Sequence, residues 1–367
     1  MKLHSPVLAD FPDRFLIAEK AVGADEPCYI IAEAGSNHDR DLKKALALVD
    51  AAADAGCDSV KFQTFDGPDI AAGPGTEFTK LPAQYLKWGK ELQELYRSCA
   101  MPTEFHRPLA ERARERKIHF FSSPFSEKAV DLLFDLGVPT LKIASFEIVH
   151  LPLIRHAAST GLPLIISTGL AGLGDIERAL EAAHKGGCSA LALLHCGSNY
   201  PLTVAGANLR AMDTIRRAFG VPVGYSDHTE GVAVPTAAAA IGANLIEKHF
   251  TTNRNGEGPD HSFALEPDDL ANMVRHIRDA QTSMGSSRKR RMPEEEDNAR
   301  RGRRSLFAAK NMKAGEVLSL DSVKIVRPGA GLEPLLLEIL VGRRLVRAVS
   351  VDTPLTWDDF IPSKSQF

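Results

Sequence analysis

The sequence predicts a (β/α)8 barrel followed by a small β-rich domain, on three observations. Short apolar runs alternate with amphipathic stretches eight times between residues 28 and 250. Ionisable and hydroxyl side chains stand at the C-terminal ends of those runs, where barrel enzymes collect their chemistry. The 367 residues hold one barrel of roughly 250 residues with an appendage to spare.

The elements follow in order. Residues 1–26 read as a leader that packs on the barrel or frays, and 27–285 as the barrel. The first strand is CYIIAE, 28–33, followed by a helix in which Leu42, Ala45, Leu46 and Val49 repeat with a period near 3.6, closed at Gly56. The second strand is 58–64. A long excursion, 65–102, rich in Gly-Pro steps, reads as a lid or substrate wall. Its Tyr85 and Trp88 suit an amphipathic helix face better than a sugar platform. A helix from about Thr103 leads to the third strand, 118–123; the remaining strands are 139–145, 163–169, 190–196, 221–227 and 243–250. Strands alternating with helices imply a parallel sheet. Residues 286–304 mix dense basic and acidic runs and read as a solvated linker. Residues 305–367, with Val, Ile and Leu runs broken by glycines, read as a β-rich domain too small for an ample core of its own.

Composition narrows the function classes. A net charge of −3 points to neither nucleic acid nor an anionic membrane surface. No apolar run approaches the roughly 20 residues of a membrane span, and the N-terminal stretch has no signal-peptide pattern. Five cysteines without paired spacing fit a reducing cytoplasm.

The strand ends carry Glu33, Lys61 with Gln63, Ser122 with Ser123, Lys142 with Ser145 and Glu147, Ser167, His195, Ser226 with His228, and Lys248 with His249. His228 and His249, on adjacent strands, suit a first-row divalent ion with positions left open for water and substrate. Glu33 neighbours them across the barrel closure, as an acid/base or a partner of metal-held water. The bland alternative is a pair of satisfied polar histidines. Lys61 and Lys142 lie in apolar strands and need a negative partner. A phosphate or carboxylate supplies it, with Ser122, Ser123, Ser145, Ser167 and Ser226 as added donors; a Lys142–Glu147 pair explains only one lysine. Gln63, Glu147, Tyr200 and Asp260 fit a polyol wall, or loop and capping roles. A Schiff-base lysine is not expected, because an ammonium facing an anion keeps a raised pKa. GLAGLG, 169–174, lacks the downstream acid of a dinucleotide fingerprint.

Together the motifs IAEAGSNHD, KFQT, FSSPFS, KIASFE, ISTG, HCGSNYP, GYSDHT, EKHFT, GPDH, RRSL and RPGAG, spread over residues 28–361, resemble the sialic acid synthase (N-acetylneuraminate synthase) family of bacterial nonulosonic acid synthases, with pseudaminic acid synthase-like features. The resemblance implies a TIM barrel with a C-terminal antifreeze-like (SAF, β-clip) domain that caps the partner's barrel in a domain-swapped homodimer. It implies a divalent metal, Mn2+ with Mg2+ or Co2+ as alternatives, on His228 and His249, with Glu33 beside them as a catalytic group. Phosphoenolpyruvate falls to Lys61, Ser123, Lys142, Ser145, Ser167, Ser198 and Ser226. The amino sugar falls to Gln63, Glu147, Tyr200 and Asp260, with Arg327 reaching it from the other subunit.

Two departures from the family pattern stand out. Asp39-Arg40 replaces the usual Asn-Gly, a change expected to alter the turn. Phe146 stands where sialic acid synthases have glycine, which resembles the pseudaminic acid branch, whereas HCGSNYP and GPDH resemble the neuraminic one. The expected reaction condenses phosphoenolpyruvate with N-acetylmannosamine or a 2,4-diacetamido hexose, giving a nine-carbon 2-keto acid and phosphate. The competing readings are a synthase of a seven- or eight-carbon keto acid and a carbohydrate-binding protein on an inactive barrel.

Overall fold

Eight short strands carry the first unit of the chain: β1 Tyr29–Glu33, β2 Ser59–Thr64, β3 His119–Pro124, β4 Leu141–Ile143, β5 Leu164–Ser167, β6 Leu191–Cys196, β7 Val223–Asp227 and β8 Leu245–His249. They come from a computed structural model that describes residues 11–360. All pair in parallel, in the order β3-β2-β1-β8-β7-β6-β5-β4. The sheet is a nearly closed (β/α)8 barrel; the one seam without a ladder among the described residues lies between β3 and β4. Their apolar residues are buried on both faces, as parallel strands sheathed by helices require.

The helices form where the 3.6-residue period is strongest. Asp41 caps α1, Leu42–Asp54, by accepting a 2.7 Å bond from the Lys43 amide. Gly137, with φ of 77°, ends the helix Glu127–Leu136 in the left-handed conformation glycine adopts without strain. In the helix Leu173–Lys185, Ile176, Ala179, Leu180 and Ala183 form the buried stripe.

The described part of the leader is a hairpin, Arg14–Ile17 with Lys20–Gly23. It lies at the N-terminal ends of the strands. Lys20 pairs with Asp58 at 2.7 Å, just before β2, and Asn244, just before β8, donates to the Gly23 carbonyl at 2.7 Å. The opposite mouth is thereby left for chemistry. The long excursion, 65–102, is built from local helical structure. It holds short helical turns at Gly67–Ile70, Glu77–Thr79 and Ala83–Trp88, and an eight-residue helix, α2, Leu92–Cys99.

The chain divides after Gly285 into a second unit. The charged segment at its start contains the helix Glu296–Gly302, braced by an Arg301–Asp297 ion pair. Beyond it, among the described residues, only Ser305–Ala308 and Val323–Val326 form a ladder, joined by single bridges such as Met312 with Val349. This is less strand than the Val and Ile runs suggested, since turns and glycines interrupt them. The unit has its own core, in which Leu306, Leu318, Leu340, Leu345 and Leu355 are buried. Among the described residues no helix is long and apolar enough to cross a membrane.

Candidate active site

Side chains of a strand alternate between faces, and β8 shows what that does here. Glu247 and His249, two apart, face the barrel interior. Lys248 between them faces out and pairs with Asp227 at 2.6 Å, both side chains fully enclosed. Lys248 therefore leaves the expected strand-end chemistry for a structural ion pair, bonded also to the Thr229 carbonyl. Alternation also removes Ser122, which bonds Thr64 at 2.7 Å, itself bonded to His106 at 2.8 Å. His195 likewise turns to the Ala207 carbonyl at 3.0 Å.

Inside, four charged groups meet. Glu33, Lys61, Lys142 and Glu247 are 1%, 3%, 2% and 4% exposed. Lys61 Nζ lies 2.7 Å from Glu33 Oε2, 3.6 Å from Glu247 Oε2 and 3.2 Å from Ser123 Oγ, to which it donates. Lys142 Nζ donates to Ser167 Oγ at 2.6 Å and lies 3.8 Å from Glu247 Oε1. Ser226 donates to that same oxygen at 2.9 Å. Gln63 donates to Glu33 Oε1 at 2.8 Å. Lys142 thus pairs with Glu247, not with Glu147.

Burial sets the charges. It pushes Glu33 up to about 7 against the pull of Lys61. It works upward on Glu247 too, but the ammonium groups of Lys142 and Lys61 outweigh it and hold that carboxyl low. Burial pulls on Lys61 as well, yet Glu247 and Glu33 keep its pKa raised. Lys142 goes the other way: burial lowers it. A raised pKa is thus found for Lys61 and a lowered one for Lys142.

Next to this cluster stand the two imidazoles, with ring centroids 5.3 Å apart. Burial pushes both down to about 4, so both are neutral at pH 7 and have a lone pair to give. His228 Nδ1 meets the Gly197 carbonyl at 2.7 Å, an arrangement in which Nδ1–H donates and Nε2 is free to ligate. His249 Nδ1 is buried without a hydrogen-bond partner. Among the described residues no group of three or more metal-ligating side chains assembles. Two neutral histidines, one with an orphaned nitrogen, fit an ion that takes its remaining ligands from water and substrate.

The other expected residues divide by neighbourhood. Ser145 accepts from the Gly169 amide at 3.1 Å, and Ser198 Oγ is buried without a partner. A side chain at position 169 would meet both hydroxyls, its Cβ falling 2.2 Å from Ser198 Oγ and 2.7 Å from Ser145 Oγ. Tyr200 lays its ring 4.2 Å from that of His228. Asp260 accepts from Ser36 N and Oγ at 3.0 and 2.9 Å. Glu147 has a buried, unpartnered Oε2, and burial pushes its carboxyl up to about 7. Phe146 is exposed. The Trp88 indole donates to the Glu257 carbonyl at 2.6 Å, neither helix stripe nor open platform; the Tyr85 side chain lies outside the described residues. Arg327, exposed, belongs to the second unit.

Glu247 is the residue sequence reasoning missed. The signal was present: it stands two before His249, so a strand that points His249 inward points Glu247 inward as well.

The NeuB family profile matches residues 48–289 and the SAF domain profile residues 303–361. The N,N'-diacetyllegionaminic acid synthase of Legionella pneumophila is 39% identical over 343 residues, 92% of this chain and 96% of that protein. The pseudaminic acid synthase of Helicobacter pylori is 36% identical over 335 residues, 91% of this chain and 98% of that protein. A crystal structure of N-acetylneuraminic acid (sialic acid) synthetase from Leptospira borgpetersenii, in complex with citrate, superposes with a TM-score of 0.68 at 33% identity, covering 78% of this chain and 94% of that one.

Proposed function

The chain belongs to the NeuB family, and from that premise we propose that it condenses phosphoenolpyruvate with an N-acyl amino hexose, N-acetylmannosamine or a 2,4-diacetamido hexose. The products are a nine-carbon 2-keto acid and phosphate. The carrying observation is that Lys61 and Lys142 both reach Glu247, two residues from His249, whose ring lies 5.3 Å from that of His228. Groups suited to an anion and groups suited to a cation share one barrel mouth.

In this reading the phosphoenolpyruvate C3 forms a bond to C1 of the open-chain sugar aldehyde, and the C1 oxygen takes up a proton. Water adds at the electron-poor C2, losing a proton. The resulting tetrahedral centre expels phosphate, leaving the 2-keto group. A divalent ion, Mn2+ with Mg2+ or Co2+ as alternatives, held by His228 and His249, supplies Lewis-acid polarisation of the aldehyde when bound. Glu33, whose carboxyl burial pushes up against the pull of Lys61, would exchange a proton with water or the nascent alkoxide. Lys61 and Lys142 neutralise the phosphate, with Ser123, Ser145, Ser167, Ser198 and Ser226 as donors. Gln63, Glu147, Tyr200 and Asp260 hold the sugar, and Arg327 reaches it from the partner in a domain-swapped homodimer. The work is that of a cytoplasmic enzyme, with no nucleic-acid partner.

The test supplies phosphoenolpyruvate and Mn2+ with N-acetylmannosamine, a 2,4-diacetamido hexose, arabinose 5-phosphate or erythrose 4-phosphate. Phosphate is measured and the product weighed by mass spectrometry. Release with an amino sugar and a nine-carbon mass is expected. Release only with a sugar phosphate would place the chain among the shorter keto-acid synthases, and no release with any sugar would leave a binding protein.

A further inference from the structure

Glu247 sits between two cations and is hydrogen-bonded to neither. Its oxygens lie 3.6 Å from Lys61 Nζ and 3.8 Å from Lys142 Nζ, beyond the 2.7–3.2 Å of an N–H···O bond. Each lysine keeps a closer partner: Glu33 for Lys61 at 2.7 Å, and Ser167 for Lys142 at 2.6 Å. Ser226 satisfies Oε1 at 2.9 Å, while Oε2 is buried without a hydrogen bond, its Lys61 contact being an ion pair only. A buried carboxylate oxygen left unsatisfied is costly unless something else needs it there. Two carboxylate oxygens, each offered to a different ammonium, copy the charge and spread of two oxygens on a larger oxyanion.

We infer that Glu247 is a positioning residue that stands in for the substrate's oxyanion. It holds Lys61 and Lys142 toward the barrel axis in the free enzyme and yields them when the oxyanion arrives. The inference rests on the anion site of the proposed reaction and adds a competitor to it. Without Glu247, Lys142 loses its carboxylate and Glu33 alone answers two ammonium groups in an enclosed space, where they repel each other and desolvation penalises both. Glu247 suppresses that, and its own charge then opposes the incoming anion. Removing the charge while keeping the shape should therefore tighten anion binding, the reverse of what deleting an ordinary binding residue does.

Isothermal titration of the full chain under chelator, with inorganic phosphate and with pyruvate as probes, reads this without turnover. Glu247→Gln is expected to bind the competing oxyanion roughly tenfold or more tightly than the parent, since a charge at this range and burial is only partly screened. In the condensation assay its KM for phosphoenolpyruvate should fall together with kcat, a split that loss of structure does not produce. Glu247→Asp, which withdraws the carboxylate from both lysines, should shift affinity in the same direction by less, and it serves if the glutamine variant fails to fold. Tightening of phosphate alone assigns the phosphoryl group as the group displaced; tightening of pyruvate alone assigns the carboxylate. Unchanged or weaker binding of both probes by a folded variant overturns the inference and leaves Glu247 as a strut. Tightened phosphate binding without condensation on any sugar would preserve the counter-ion role and reject the reaction, and the converse would do the opposite.

Discussion

Glu147 should carry a pH dependence that can be measured. Burial raises its folded-state pKa from 4.5 to about 7, so between those values the folded chain holds a proton that the unfolded chain has released. Stability at this residue is full below about pH 4.5 and is lost as pH rises through 7. Glu147→Gln, which imitates the protonated form, should be more stable than the parent above pH 7 by on the order of 2 kcal/mol. It should match the parent below pH 5, as urea denaturation at several pH values will read. A parallel loss on both sides would show that the carboxyl is ionised throughout. The same residue marks how far a sequence can be read. Its place just past the fourth strand was visible, and the bland alternative, a Lys142–Glu147 pair, is not the pair that forms. Lys142 chooses Glu247, more than a hundred positions along the chain, because barrel closure and not sequence proximity decides which carboxylate reaches it.

At the scale of elements, the loop after β1 ties the catalytic mouth together. Asp39 and Arg40 have φ of 46° and 55°, left-handed values that cost a non-glycine residue of order 1 kcal/mol each. Both side chains offset that cost. Asp39 meets Lys44 at 2.7 Å and the buried His261 at 2.9 Å. Arg40 donates to the carbonyls of Arg97 and Ala100 at 2.9 and 2.8 Å, capping carbonyls that the end of α2 leaves unpaired. Asp39-Arg40 thus form a left-handed turn whose side chains make bonds that glycine could not. Arg40→Ala should lower stability by about 1 kcal/mol and expose the 65–102 excursion to limited proteolysis. A digestion pattern identical to the parent's would remove Arg40 from this role. Strands and helices were legible because an apolar run or a 3.6-residue period is a local signal. The excursion was not, because its one-turn helices rest on distant partners such as Glu257 for Trp88. Ser122, His195 and Lys248 were misplaced for a third reason: position at a strand's end does not say which face a side chain takes, whereas the two-residue alternation does.

For the whole molecule, the proposed swapped dimer makes a distinctive forecast. If Arg327 serves the partner's site, an Arg327→Ala chain and a His249→Ala chain, each inactive alone, should regain up to roughly a quarter of parent activity when unfolded and refolded together, since half the dimers are mixed and each holds one intact site. No recovery, with dimers present by sedimentation, would confine Arg327 to its own subunit. The barrel itself was the most legible part of the chain, yet its one open seam was not, since a run of apolar residues does not announce which neighbour will decline to pair. That seam has a consequence. In the strand order β3-β2-β1-β8-β7-β6-β5-β4, the junction of β8, which ends in His249, with β7, which leads into His228, stands midway along the zip, and the open edges beside Ser123 and Lys142 stand at its two ends. Backbone that lacks a ladder on one side should yield first, so amide exchange is expected to start beside Ser123 and Lys142 and to come last at the histidine corner, which is laced on both sides.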